Sequence, residues 1–331
     1  MTQYHRRARL PPVSPRADDG GMRLLVLFLL FMVEVCVQSA VAPSHLQHLL
    51  SSRIVGGEDA VQGEFPFQVS IEHVGILGRN HICGGIVLSA TDVLTAAHCI
   101  SRFSEHNIDI VAGINRLSDT SSNRQTVEAV HFIIHEDFND ITMGSDIAII
   151  RLKHALELNE WVQPVVMPKT GETAQEGEMC TVVGWGATFE DGDLSDVLQK
   201  VSVPIQSDSY CRSAYGYSAV EDSMLCAGSP EGGADACDGD RGGPMLCRGH
   251  LHGISSWGEG CGHSFYPGVY TEVSAFLHWN PKSTEDLELE ALLGDDSAAP
   301  EETPSDDPEV QVVVAESPED HDVPRELPPE V

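Results

Sequence analysis

Positive charge is scarce in this sequence. Its 331 residues hold 19 Lys plus Arg against 51 Asp plus Glu, a formal net charge of -32. A surface this acidic repels phosphates instead of releasing their counterions, so nucleic acid is excluded as a partner. Long hydrophobic runs are missing too. The apolar stretch Leu24 to Val33 has ten residues, well short of the about 20 that a membrane-spanning helix needs. No internal repeat and no long segment of 3.6-residue period is present, and aromatics make up only 6% of the chain. Hydrophobic residues still reach 41%, enough for a packed core. The 19 prolines and the acidic excess place part of the chain outside that core.

What is present divides into segments of different character. Residues 1–53 carry six Arg and three acidic residues, the reverse of the whole-chain balance. Arg23, the apolar run and the small residues Ser39, Ala40 and Ala42 form a signal-peptide pattern. We expect a signal over 1–40, with an upstream extension if translation starts at Met1 instead of Met22, and a propeptide over 41–53. From Ile54 onward, short apolar stretches such as Phe67 to Ile71, Val93 to Ala97 and Ile147 to Leu152 alternate with Gly, Asp, Ser and Asn. That spacing suits a β-sandwich or barrel. Eight of the nine cysteines lie here, an even set that behind a secretory signal reads as four disulfides of open connectivity. Cys36 leaves with the leader. Residues 283–331 hold 17 Asp plus Glu, one Arg and seven prolines, the composition of a disordered acidic tail. The segment between, 54–282, thus carries a net charge of -19.

Four motifs gain meaning together. Ile54-Val-Gly-Gly57 follows Arg53, Thr95-Ala-Ala-His-Cys99 follows a β-prone run, Asp146-Ile-Ala-Ile149 opens another, and Cys237-Asp-Gly-Asp-Arg-Gly-Gly-Pro244 is a glycine-rich loop. In this order and at these separations, with Gly184-Trp-Gly186 and Ser256-Trp-Gly258, the stretch Ile54 to Trp279 resembles the trypsin-like members of the chymotrypsin family of serine proteases. Gly63-Glu-Phe-Pro66 and Val201-Ser-Val-Pro204 are similar to digestive trypsins of arthropods. The resemblance implies an all-β fold: two antiparallel six-stranded Greek-key barrels, about 54–165 and 166–280, with a short C-terminal helix. It also implies the pairs Cys83 with Cys99, Cys180 with Cys247, Cys211 with Cys226 and Cys237 with Cys261.

The family's mechanism needs a serine that attacks the scissile carbonyl, a histidine that takes its proton and an aspartate that orients the histidine. His98 and Asp146 match the last two. Where the family has Gly-Asp-Ser-Gly-Gly-Pro, this chain has Gly239-Asp-Arg-Gly-Gly-Pro244, so Arg241 stands at the nucleophile position. A guanidinium is always protonated and offers donors only, so it has no lone pair with which to attack. The surroundings match the family. Asp235 corresponds to the carboxylate at the base of a Lys/Arg-selective pocket. Ser256, Trp257, Gly258 and Gly268 line it, and Gly239 and Arg241 supply the oxyanion N–H groups. Cleavage after Arg53 would free the Ile54 amine to pair with Asp240. Vertebrate trypsins hold calcium with carboxylates that would fall here at Ile114, Ser121 and Arg124, so that site is lost. We expect no metal and no cofactor.

These residues predict a secreted, monomeric, proteolytically inactive trypsin homologue, extracellular and plausibly in a gut lumen. It acts by binding, as a decoy or competitor for Lys/Arg-containing peptides or for protease inhibitors. Two other readings stand beside it. One is an active endopeptidase cleaving after Lys/Arg, if residue 241 is really Ser and the Arg codon a one-base error. The other is an interaction protein that works through its acidic tail.

Overall fold

The computed structural model describes residues 56–76 and 78–279. The expected signal, the propeptide with Arg53 and Ile54, and the acidic tail lie outside the described residues. Thirteen strands run through the described part: β1 (Glu58–Asp59), β2 (Gln68–Gly75), β3 (Gly78–Val87), β4 (Asp92–Thr95), β5 (Ile108–Ala112), β6 (Gln125–Ile134), β7 (Ala148–Leu152), β8 (Met179–Gly184), β9 (Gln199–Gln206), β10 (Met224–Ala227), β11 (Pro244–Cys247), β12 (His250–Trp257) and β13 (Gly268–Glu272).

Strands β2 to β7 close into one antiparallel barrel in the order β2-β3-β4-β7-β6-β5. The second barrel follows β9-β10-β13-β12-β11-β8 and closes where β8 pairs with β9, from Met179 opposite Pro204 to Gly184 opposite Gln199. Strand β1 adds to its β9 edge. This is the two-barrel architecture that the resemblance implies. Closure leaves few edges to protect, and the sequence supports it locally. In β9, Gln199, Val201, Val203 and Ile205 are buried and alternate with more exposed neighbours, the period-2 pattern of a one-faced strand. Strands β5 and β7 are β-branched and almost wholly buried.

The first core gathers Val69, Ile71, Ile86, Ile108, Ile110 and Ile150, all fully buried. A second forms around Val182, Val203, Met245 and Tyr270. Leu246, Leu251 and Ile254 of the second barrel pack into the first core, so the barrels share an apolar seam. Four disulfides join Cys83 to Cys99, Cys180 to Cys247, Cys211 to Cys226 and Cys237 to Cys261, the four pairs named above. Each such bridge typically contributes about 2 to 4 kcal/mol.

The short C-terminal helix is, within the described residues, a 3-10 turn over Val273–Phe276. The sole α-helix among them, α1 (Asp208–Tyr215), went unread. Its N-terminus is capped by the Ser207 hydroxyl, which accepts from Tyr210 N–H, and eight residues are too few to register as a helical period.

The loop where the family's calcium site would lie is held by a side-chain cation. Arg124 donates to the carbonyls of Leu117 and Asp119, both at 3.2 Å, and through Nη2 to Glu72 Oε1 at 3.2 Å. Glu72 is buried, and desolvation pushes its pKa up while Arg124 opposes the rise. Removing the guanidinium would strand a buried carboxylate. We therefore expect R124A to lose about 3 kcal/mol of stability at neutral pH. The carboxyl's pKa would climb further without its partner, so the loss grows as pH rises through the carboxylate range and shrinks toward pH 4. Denaturant melts at pH 4 and pH 7.5 measure both.

Candidate active site

The cleft is built by three loops that meet where the barrels touch. His98 sits in the 3-10 turn Ala97–Cys99, directly after β4, and the Cys83–Cys99 disulfide pins that turn to β3. Asp146 lies two residues before β7 and is fully buried. Its Oδ1 accepts the His98 backbone N–H at 2.9 Å, and its Oδ2 accepts the His98 Nδ1–H at 2.7 Å. The Ser256 hydroxyl donates to the same Oδ2 at 2.5 Å. Asp146 is thus a buried anion with three donors, which fixes the tautomer of His98 and leaves Nε2 on the cleft side. There Nε2 has only the disulfide sulfur Cys99 Sγ, at 3.7 Å, as a polar neighbour among the described residues.

The loop from Cys237 to Pro244 brings the remaining groups together, and it is held by main-chain bonds. Gly84 N–H of β3 donates to the Arg241 carbonyl at 2.8 Å, Gly242 N–H to Ser255 at 2.7 Å and Gly243 N–H to Asp240 at 2.9 Å. Gly242 has a φ of +77°, and a Cβ on it would collide with Thr95 Oγ1 and the Gly84 carbonyl. Only glycine meets both conditions. Asp240 is fully buried. Its carboxylate accepts Gly186 N–H at 2.7 Å and Cys237 N–H at 2.9 Å, and burial still pushes its pKa up to about 7. The Ile54 amine assigned to it by resemblance lies outside the described residues. The N–H groups of Gly239 and Arg241 have no acceptor among the described residues. The Gly239 carbonyl accepts the Nε2–H of His81 at 2.9 Å, so the His81 Nδ1, 2.7 Å from Ser70 Oγ, accepts from that hydroxyl. Burial lowers the pKa of His81, against the pull of the Gly239 carbonyl.

Asp235 sits at the base of a narrow pocket lined also by Arg241, Ser255, Trp257, Gly258 and Gly268. Burial raises its pKa to about 7 against the pull of the Gly262 and Ala236 N–H groups. A Cβ on Gly268 would come within 2.6 Å of Asp235 Oδ1, so this position must stay without a side chain, whereas one on Gly258 meets only ordinary contacts.

The side chain of Arg241 reaches neither Asp235 nor Asp146 by a hydrogen bond. Its Nη1 donates to the Ser256 carbonyl at 2.7 Å and its Nη2 lies 3.4 Å from Asp238 Oδ1. The guanidinium therefore lies on the pocket wall. Among the site groups that the sequence reading missed, Asp238 is one and Tyr215 another. At the end of α1, the Tyr215 ring packs edge-on against Trp257 with centroids 4.8 Å apart, and its hydroxyl donates to the Pro267 carbonyl at 2.7 Å. No motif marks a tyrosine on a short helix as part of a pocket that lies more than 20 residues further along the chain. His81, two residues before Cys83, carried no signal beyond that cysteine.

The sequence that builds this oriented histidine–aspartate pair and glycine-framed acidic pocket is similar to that of known proteins. The family profile Trypsin matches residues 54–280. The chain belongs to the trypsin family. It is 42% identical to Trypsin-1 of Astacus astacus over 233 residues, 68% of this chain and 98% of that one. It is 40% identical to a vitellin-degrading protease of Bombyx mori, over 73% of this chain and 89% of the relative. To coagulation factor XI of Bos taurus it is 35% identical over 71% of this chain, a match that spans 38% of the longer protein.

In this trypsin-family cleft an incoming cation meets Asp235 only once that carboxyl has lost its proton. In an R241A variant, which clears the pocket wall and also removes a cation that holds the Asp235 pKa down, benzamidine binding should strengthen about tenfold per pH unit from pH 5 and level off only above about pH 7. D235N should abolish it. A flat titration from pH 5 to 8 would contradict the assignment of Asp235 as the ligand's partner.

Proposed function

We propose that this chain is a secreted trypsin-family homologue that does not cleave peptides and that works by binding. The observation that carries the reading is Arg241 itself. It occupies the nucleophile position with its main chain in place and its guanidinium bonded to the Ser256 carbonyl at 2.7 Å. His98 is oriented to take a proton, yet residue 241 has no hydroxyl proton to give and no lone pair to place on a carbonyl carbon. In subtilisin, removal of the serine alone lowers turnover by about a million-fold, equivalent to roughly 8 kcal/mol of barrier. Arginine does worse than a small residue because its side chain also lies on the wall that a substrate must use.

Binding remains feasible because Arg241 is weakly held. Its ionic partner Asp238 is 67% exposed on its side chain and 3.4 Å away, a pair worth little in water. A Lys or Arg side chain from a peptide, or from an inhibitor that docks by such a residue, gains the buried Asp235 in exchange. The partner class is therefore a cationic peptide or protease inhibitor, and the role is that of decoy or competitor. Four disulfides fit an oxidising, extracellular compartment, in keeping with the leader pattern. The tail that the third reading depends on lies outside the described residues.

The test is a paired assay on Lys- and Arg-ester substrates after processing at Arg53. The wild-type chain should show no turnover above background, and R241S should gain hydrolysis that H98A removes. The wild-type chain should also be retained on immobilised benzamidine and released by free arginine. Wild-type hydrolysis at a rate equal to R241S would refute inactivity, and absence of retention would refute the binding role.

A further inference from the structure

Outside the cleft, the second barrel carries a cluster that nothing in a protease mechanism uses. Strand β12 begins with His250-Leu-His252. The pairing of β11 with β12 steps from Met245 opposite Gly253 to Leu246 opposite Leu251, so His252 is the extra residue of a β-bulge with no partner across the ladder. Bulges of this kind re-aim a side chain. His252 is fully buried, and its Nδ1 has no hydrogen-bond partner. Its Nε2 lies 3.7 Å from Glu172 Oε1 and 3.5 Å from Arg248 Nη2, neither of them a good hydrogen bond. A histidine sealed in the core without a satisfactory bond to either ring nitrogen needs an explanation.

Its neighbours suggest one. Glu172 stands in the loop before β8. Its Oε2 is occupied by Lys169 N–H at 3.0 Å, and that bond aims Oε1 at the two histidines, with His250 Nδ1 at 2.9 Å. One ligand atom from each of Glu172, His250 and His252 lies within 4.8 Å of the other two. Tetrahedral coordination with bonds of about 2.0 to 2.1 Å places ligand atoms about 3.3 Å apart, between the 2.9 and 3.7 Å found here.

We propose that Glu172, His250 and His252 form a site for a zinc ion, with water completing the tetrahedron. Two imidazoles and one carboxylate suit zinc and do not suit calcium or magnesium, which take oxygen ligands. Arg248 is the built-in competitor. Its Nη2 lies 3.5 Å from Glu172 Oε1, while its Nη1 is held by Glu178 at 2.5 Å. The side chain is 45% exposed, so it can keep Glu178 and yield the centre to the ion. Bound zinc would tie the Lys169–Glu178 loop to the β11-β12 hairpin and give Nε2 of His252 the strong bond it lacks. No sequence motif signals such a site, because the three residues are spread over 80 positions and show no ligand spacing.

The test uses the full chain, freed of metal with a chelator and titrated with zinc chloride by calorimetry, with thermal melts in parallel. Wild type should take up one ion in a saturable step and melt higher with zinc than with chelator. E172Q and H250A, at partly exposed positions that fold can tolerate, should each weaken uptake about 100-fold with unchanged far-UV circular dichroism. R248A should tighten it about tenfold. Absence of saturable uptake by wild type, or uptake undiminished in E172Q and H250A, would overturn the proposal. The second result would mean that other histidines bind the ion.

Discussion

The bond from Gly84 N–H to the Arg241 carbonyl, 2.8 Å long, is the contact on which the cleft depends. It docks the loop of the second barrel onto β3 of the first, and Gly242 is squeezed between Thr95 and Gly84 as a consequence. The bonds that hold the backbone at residue 241 are all main chain to main chain. The fold therefore specifies the position of the residue and is indifferent to its side chain, so an arginine can stand where the family has serine without disturbing the loop. The architecture of the loop and the chemistry of the side chain rest on different atoms of the same residue.

Three buried carboxylates surround that loop, and each is satisfied differently. Asp146 is held by a histidine ring, a hydroxyl and a backbone N–H. Asp240 has two backbone N–H groups and a pKa pushed up to about 7. Asp235 has two N–H groups at the foot of the pocket, and it too is raised to about 7. The first is complete. The other two have no side-chain cation hydrogen-bonded to them among the described residues, and the charge of Arg241 nearby only partly offsets their burial.

The strands and the site positions were legible because they are carried by short-range patterns: β-branched runs with alternating burial, cysteines, and motifs such as Thr95 to Cys99 that hold their function within five residues. What could not be read depends on contacts between distant segments. The partner of the Arg241 guanidinium could have been either acid of the cleft, yet it is a main-chain carbonyl on β12, and no side-chain inventory names a carbonyl. Tyr215 and His81 reach the site from a helix and a strand whose sequences are unremarkable. Arg124 was read as the loss of a carboxylate, whereas it supplies the positive charge itself. Glu172 and the β12 histidines meet through a bulge, a feature of register that the residues of one strand alone do not reveal.

The scarcity of cations now has a structural meaning. In a chain with 51 acidic residues and 19 basic ones, several positive side chains among the described residues serve as counter-ions to acids of the fold. Arg124 joins Glu72 to two loop carbonyls, Arg151 meets Asp92 between β7 and β4, Lys200 meets Glu58 and Glu64, and Arg248 meets Glu172 and Glu178. Arg241 is held differently. Its ionic partner is a largely exposed aspartate at the edge of hydrogen-bonding range, and its one strong bond is to a neutral carbonyl. Of these guanidinium groups it is the least committed to an acid, and it stands on the wall of the pocket that holds Asp235, where its charge favours the ionised carboxylate without a hydrogen bond to it.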